Sequence, residues 1–265
     1  MATYFEVRIA GEELTYAAQA AQAALDLLDK LESHLSRFRS NSDMAQIAAL
    51  EPGEKICLSE PAFACLEIAK KMELATRGAF SITAAALQTQ ASLPQWSLLP
   101  GESSIRCESG RLEFDLGAIG KGFALDRMAE LLRNWDCPAF LLVAGGSSIL
   151  AGDAPHDAAG WSCGLGDDDA PQRLFLAHAS LSGSGLAVKG NHILDPRTGQ
   201  PALRQSRAWA LADTAAESDA LSTACMVLSE LELKEVVAQD HSWLVFLETD
   251  GAARPMGSRA LPPQV

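Results

Sequence analysis

Hydrophobic positions recur along this chain in two periods. Residues 3–9 alternate apolar and polar in the manner of a strand and are closed by Gly11. From Thr15 to Phe38 the period changes: Ala24, Leu25, Leu28, Leu31 and Leu35 recur at three- and four-residue spacing, which predicts a helix. Its end is a polar turn, residues 36–42, that holds one aromatic, Phe38. Ser42 opens a short helix that Pro52 and Gly53 end. Ser59 and Pro61 then mark a helix start carrying Phe63, Leu66, Ile68, Ala69 and Met72, with Gly78 as its C-terminal cap. Residues 79–83 leave that cap in extended form. Residues 84–110 show little periodicity and read as loop with one short helix and an edge strand.

In the second half, a strand-like run, residues 111–114, leads into Asp115-Leu-Gly-Ala-Ile-Gly-Lys-Gly-Phe-Ala-Leu-Asp126. A helix follows from Phe123 to about Trp135, with Ala124, Met128, Leu131, Leu132 and Trp135 on its apolar face. Residues 139–144 form a fully apolar strand ending in Gly145-Gly146, and residues 149–151, 161–165 and 173–177 are further short strands. Residues 181–185, Leu-Ser-Gly-Ser-Gly, read as a flexible turn, and Asp195-Pro196 as a tight one. Residues 209–213 are a strand, Ser218 caps a helix over residues 219–228, and residues 243–248 are the last strand before a polar, Pro-rich tail. No repeat or low-complexity linker divides the 265 residues.

Composition narrows the function classes. A net charge of −13 argues against nucleic acid or an anionic membrane surface as a partner. It also means that any phosphorylated ligand needs local help from a basic side chain, a helix terminus or a metal. The six cysteines form no CxxC pair and have no histidine at ligand spacing, so they read as reduced thiols of a cytosolic protein. No basic leader with an apolar core opens the chain and no apolar run approaches a membrane span, which makes a cytoplasmic location the expectation.

The Gly-rich stretch carries the candidate chemistry. Glycines let backbone approach a ligand, and a helix N-terminus presents unpaired N–H groups to an anion. The stretch is neither of two better-known motifs. Its Gly117 and Gly120 are too close for a P-loop, and G-x-x-G-x-G is not the dinucleotide fingerprint G-x-G-x-x-G. On the predicted helix after Ser218, Asp219 and Thr223 stack four residues apart, so a carboxylate and a hydroxyl could share a hard cation. An aspartate in the first turn with a back-bonding threonine would look the same.

Taken together these segments resemble the ApbE family, the flavin transferases that move FMN from FAD to proteins. The resemblance runs through Ser36-Arg-Phe-Arg-Ser-Asn-Ser-Asp43, Thr76-Arg-Gly-Ala-Phe80, the stretch from Asp115 to Asp126, Gly145-Gly146, His192-Ile-Leu-Asp-Pro-Arg-Thr-Gly199 and Asp219-Ala-Leu-Ser-Thr223. It implies an α+β fold, mixed or antiparallel sheets with flanking helices, in which residues 1–265 form a single compact unit. It further implies that Met1 and Phe38 lie against the flavin. Ala79, Phe80 and Ser81 would line the nucleotide, and Asp115 and Lys121 would contact it. Asp219, Thr223 and the carbonyl of Ala118 would hold Mg²⁺, and His192, oriented by Asp195, would be the base. The implied partners are FAD as substrate and an acceptor flavoprotein with a Ser or Thr in an Asp-x-x-[Ser/Thr]-Gly-Ala-[Ser/Thr] motif. Ser81, Ser147 and Gly183 depart from the family pattern, where Asp, Asn or Asp, and Thr are usual. The same base and metal would serve hydrolysis of FAD to FMN and AMP. The departures at Ser81 and Gly183 motivate a further reading, FAD binding without catalysis.

Overall fold

A computed structural model describes residues 3–166, 172–186, 193–249 and 252–263. Its largest element is a seven-stranded sheet in the order β1-β5-β6-β9-β10-β11-β12. These strands are β1 (Phe5–Ile9), β5 (Phe140–Ala144), β6 (Ser148–Ala151), β9 (Ala179–Gly185), β10 (Arg207–Ala212), β11 (Leu244–Thr249) and β12 (Ala252–Gly257). All their pairings are antiparallel. A small sheet in the order β2-β4-β3 joins Lys55–Cys57, Ser104–Ser109 and Gln95–Leu99, and a hairpin pairs β7 (Trp161–Leu165) with β8 (Gln172–Leu176).

The two faces of the large sheet follow from strand alternation. In β10, Ala208, Ala210 and Ala212 face a core beneath the helices, whereas Leu211 faces the β7–β8 hairpin with Leu181, Leu244 and Phe246. On the helical face lie α4 (Gly120–Asn134) and α5 (Ala215–Val227), with α1 (Leu14–Leu35) against α4 and α3 (Glu60–Ala75) against α5. The short helices α2 (Asp43–Ile47) and α6 (Glu230–Val237) complete the set. The architecture is the expected α+β arrangement in one unit. No helix among the described residues is long and apolar enough to cross a membrane. The six cysteines are free, all buried except Cys57.

Several local expectations are corrected. Residues 111–114 pair with no strand, and residues 79–83 form a chain of turns rather than an extended segment. Leu25, counted in the apolar stripe of α1, is exposed. Residues 181–185 are not a turn but the end of central strand β9. The cap of helix α5 lies four residues before the expected Ser218, at Thr214, which accepts from the N–H of Glu217. The tail after residue 252 contains edge strand β12, where Pro255 is tolerated because one side needs no donor.

The β9 correction has a clear cause. Ser180 and Ser182 are fully buried and both hydrogen-bond the hydroxyl of Ser218 on α5, each at 2.8 Å. Ser184 continues the row, 2.9 Å from Ser222 and 3.2 Å from Thr223. These alternate serines satisfy one another between strand and helix, so a polar face that suggests solvent is instead an interior seam.

Candidate active site

The site is assembled where α4 begins. Asp115 precedes a single 3-10 turn, Leu116–Ala118, and accepts the N–H of Gly117 at 2.8 Å. Its other oxygen accepts from Arg37 at 3.0 Å, and the Arg37 guanidinium lies 5.0 Å from the centre of the Phe38 ring. Phe38 is 84% exposed, which for an aromatic beside an ion pair leaves a free face to receive a planar ligand. The turn after α1 and the Gly-rich stretch, far apart in sequence, thus form one rim. Arg37 is the element of this rim that sequence reasoning missed.

A second segment reaches the same rim from α3. The Thr76 hydroxyl donates to the Met72 carbonyl at 2.7 Å and accepts the Phe80 N–H at 3.1 Å, so the helix end folds back on itself. This buries Ala79 and Phe80 in the core. Ser81 shares its hydroxyl with Thr83 at 2.9 Å, and the Ile82 carbonyl accepts the N–H of Asp115 at 2.7 Å. Ser81 and Asp115 are therefore held on adjoining strands of chain.

At the centre is Asp219, whose side chain is 4% exposed. Three donors make four contacts with its carboxylate: Lys121 Nζ at 3.1 Å from each oxygen, the Gly122 N–H at 3.2 Å and the Ser148 hydroxyl at 3.1 Å. Lys121 also donates to the Gly117 carbonyl at 3.3 Å. Lys121 thus forms an ion pair with the candidate metal ligand. The Thr223 hydroxyl lies 3.4 Å from the Asp219 carbonyl and 3.2 Å from Ser184, and Ala118 closes the turn just before α4. The candidate ligand atoms of Asp219, Thr223 and Ala118 are all hard oxygens. Among the described residues no cluster of three His, Cys, Asp or Glu could cage a metal. One carboxylate with hydroxyl and carbonyl oxygens suits a cation that completes its shell with water and phosphate.

Asp126, the last residue of the Gly-rich stretch, explains why Asp219 sits where it does. Its carboxylate accepts the N–H groups of Ala215 and Ala216 at 2.7 and 2.8 Å, fastening α4 to the start of α5. Burial pushes the Asp126 carboxyl up from 3.8 to about 7, against the pull of those two donors. A carboxyl raised in the native state keeps a proton that the unfolded chain has lost. Its contribution to stability is present at acid pH and fades as pH rises from about 4 to about 7. Denaturant unfolding followed over that range should show a decline that Asp126→Asn removes; identical pH slopes in the two proteins would refute the assignment.

The Gly183 departure is also explained. Gly183 lies opposite Trp209 in the β9–β10 register, and a Cβ at 183 would lie 2.8 Å from Trp209 Cδ1. The indole already fills the space that a larger residue would take. Gly183→Thr is expected to cost about 1–3 kcal/mol, and Trp209→Ala to relieve most of that in the double variant. Strictly additive losses in denaturant melts would show that the two positions do not compete.

Asp195 belongs to a separate brace. Arg197 donates to it from its backbone N–H and Nε, both at 2.9 Å, and from Nη2 at 3.0 Å, while also reaching Glu232 at 2.6 Å. Burial works to raise the Asp195 carboxyl, but these Arg197 contacts hold it below its ordinary value. The Arg197 stem also packs 3.7 Å from the position a Cβ at Gly78 would take, which brings this turn against residues 76–80. Met1 and His192 lie outside the described residues.

Comparison with known proteins gives the family and the fold. The profile of the ApbE family matches residues 1–246. A FAD:protein FMN transferase of Klebsiella pneumoniae (strain 342) is 24% identical over 216 residues, covering 68% of this chain and 66% of that protein. The match therefore spans just under two-thirds of the relative's length. The solved flavin transferase ApbE from Vibrio cholerae superposes with a TM-score of 0.80 at 18% identity, covering 97% of this chain and 95% of the other. The ApbE protein of Thermotoga maritima gives 0.77 at 23% identity, covering 96% and 97%. At these identities the structural likeness establishes the fold.

Proposed function

Because the chain belongs to the ApbE family, we propose that it transfers FMN from FAD to a Ser or Thr hydroxyl of an acceptor protein, releases AMP, and uses Mg²⁺. The observation that carries this reading is the buried Asp219, held by Gly122 and Ser148 among hard oxygen donors directly behind the Gly-rich turn.

Asp219, Thr223 and the Ala118 carbonyl would hold Mg²⁺, which when bound supplies positive charge to the pyrophosphate as the bond between its phosphates breaks. The chain's own residues do the rest. The exposed ring of Phe38, backed by Arg37, receives the flavin, and Met1 is proposed to lie against the same group. Ala79, Phe80 and Ser81 are proposed to line the nucleotide, with Asp115 in contact with it. His192 takes the proton from the acceptor hydroxyl, whose oxygen bonds to the FMN phosphorus while AMP departs with the bridging oxygen. Asp195, which accepts from Arg197, is proposed to orient His192.

The test is AMP release from FAD, with Mg²⁺ present or chelated and an Asp-x-x-Thr-Gly-Ala-Thr peptide present or absent. Metal-dependent AMP with FMN mass added to the peptide is the expected result. AMP without peptide labelling would replace transfer by hydrolysis. Bound FAD that is never cleaved would overturn both.

A further inference from the structure

We propose that Lys121 is a tethered competitor for the cation site: its ammonium and a divalent cation exclude one another at Asp219, and the ammonium leaves when an anionic nucleotide is there to receive it. This rests on the metal site proposed above and adds a coupling between metal and substrate that the site's composition alone does not imply.

The argument begins with the lone pairs of one carboxylate. Asp219 Oδ1 accepts from Lys121 and Ser148, and Oδ2 accepts from Lys121 and Gly122. Four hydrogen bonds, from these three donors, are about what a carboxylate can take. A cation that binds here must therefore displace one of them. The Gly122 N–H is fixed in the helix backbone, and Ser148 is fully buried within β6. Lys121 is the long, flexible donor, and 21% of its side chain is exposed. It is the group able to move.

Charge leads to the same conclusion. A nearly buried carboxylate without a counter-ion is costly, and the Lys121 ammonium meets that need. A dication brought to the same oxygens would lie within a few ångströms of the ammonium and repel it strongly, because little water intervenes. Lys121 Nζ also touches the Gly117 carbonyl, so its head already rests over the Gly-rich turn. A swing away from Asp219 delivers it to the side where the phosphates of a nucleotide would lie. Metal and nucleotide then help one another, and by linkage each raises the other's affinity by the same factor.

Mn²⁺ binding followed by electron paramagnetic resonance tests this in the full chain, with and without FAD and without acceptor. In the wild type, FAD should tighten Mn²⁺ by roughly tenfold or more. Lys121→Met should bind Mn²⁺ roughly tenfold tighter than wild type when FAD is omitted, and gain little further when FAD is added. If both proteins bind Mn²⁺ with FAD but the variant is no tighter without it, the competition is refuted and the metal site stands. If the wild type binds no Mn²⁺ even with FAD, the metal site falls together with the competition. A second measurement needs no variant. Reductive methylation of the wild type, read by mass spectrometry, should label Lys121 faster when saturating Mn²⁺ is added alone. Unchanged labelling at saturation would refute displacement.

Discussion

Asp219→Asn is expected to reduce FMN transfer by roughly 10²–10³-fold or more at saturating FAD, while leaving most of the fold intact. The change is nearly isosteric. The amide oxygen can still accept from Gly122 or Ser148, so the backbone contacts that seat α5 against α4 survive in part. Lys121 loses its counter-ion, but its side chain has partial access to solvent and need not stay in the interior. What disappears is the one buried negative charge among the described groups of the proposed metal site. A cation there would be left with neutral oxygens, and its affinity should fall with the rate. Raising Mg²⁺ should therefore recover part of the loss in Asp219→Asn. Turnover within tenfold of wild type at ordinary Mg²⁺, with an unchanged melting temperature, would remove Asp219 from the mechanism.

How much of this site was legible beforehand differs from residue to residue. Asp219 and Thr223 could be paired from their spacing, because helical periodicity places them on one face whatever the helix packs against. The Gly-rich stretch was legible as a special turn for a similar reason: glycines at close spacing before a helix are a local signal. Long-range partners were not legible. Nothing in Ser36-Arg-Phe-Arg predicts that Arg37 will meet Asp115, since the contact depends on how α1 crosses the start of α4. Ser148 was equally hidden, being one serine at the start of a short strand until β6 is laid beside α5. β9 was misread because serine usually faces water. Only the facing serines of α5 make Ser180 and Ser182 interior residues. The apolar helices and β5 followed from period, whereas strands with a polar buried face did not.

The glycines themselves show how a motif can be recognised and its physics misplaced. Gly122 reads as a residue that lets backbone approach a ligand, but in the folded chain it lets one helix approach another. A Cβ at Gly122 would lie 2.0 Å from the Ala215 carbonyl oxygen, 2.3 Å from its carbon and 2.6 Å from the Ala216 nitrogen. All three are backbone atoms at the N-terminus of α5 and cannot rotate away. Gly122→Ala must therefore push α4 and α5 apart. That separation strains the two bonds from Ala215 and Ala216 to Asp126 and the bond from Gly122 to Asp219. Overpacking costs about 1–3 kcal/mol, and each buried polar group left unpaired adds about 1–3 kcal/mol more. The total is a large fraction of the roughly 5–15 kcal/mol that holds a domain folded. The variant is expected to be insoluble or to melt at least about 10 °C below wild type. Gly120→Ala meets only the Leu116 Cβ at 3.4 Å, and Gly117→Ala meets the movable end of Asp115 at 3.0 Å, so both should fold. Thermal melts of the three variants decide the matter. If Gly122→Ala melts within a few degrees of wild type, the helix contact is not the reason for glycine at this position. If it alone collapses, the last glycine of the stretch serves the α4–α5 junction on which Asp219 depends, and not the ligand directly.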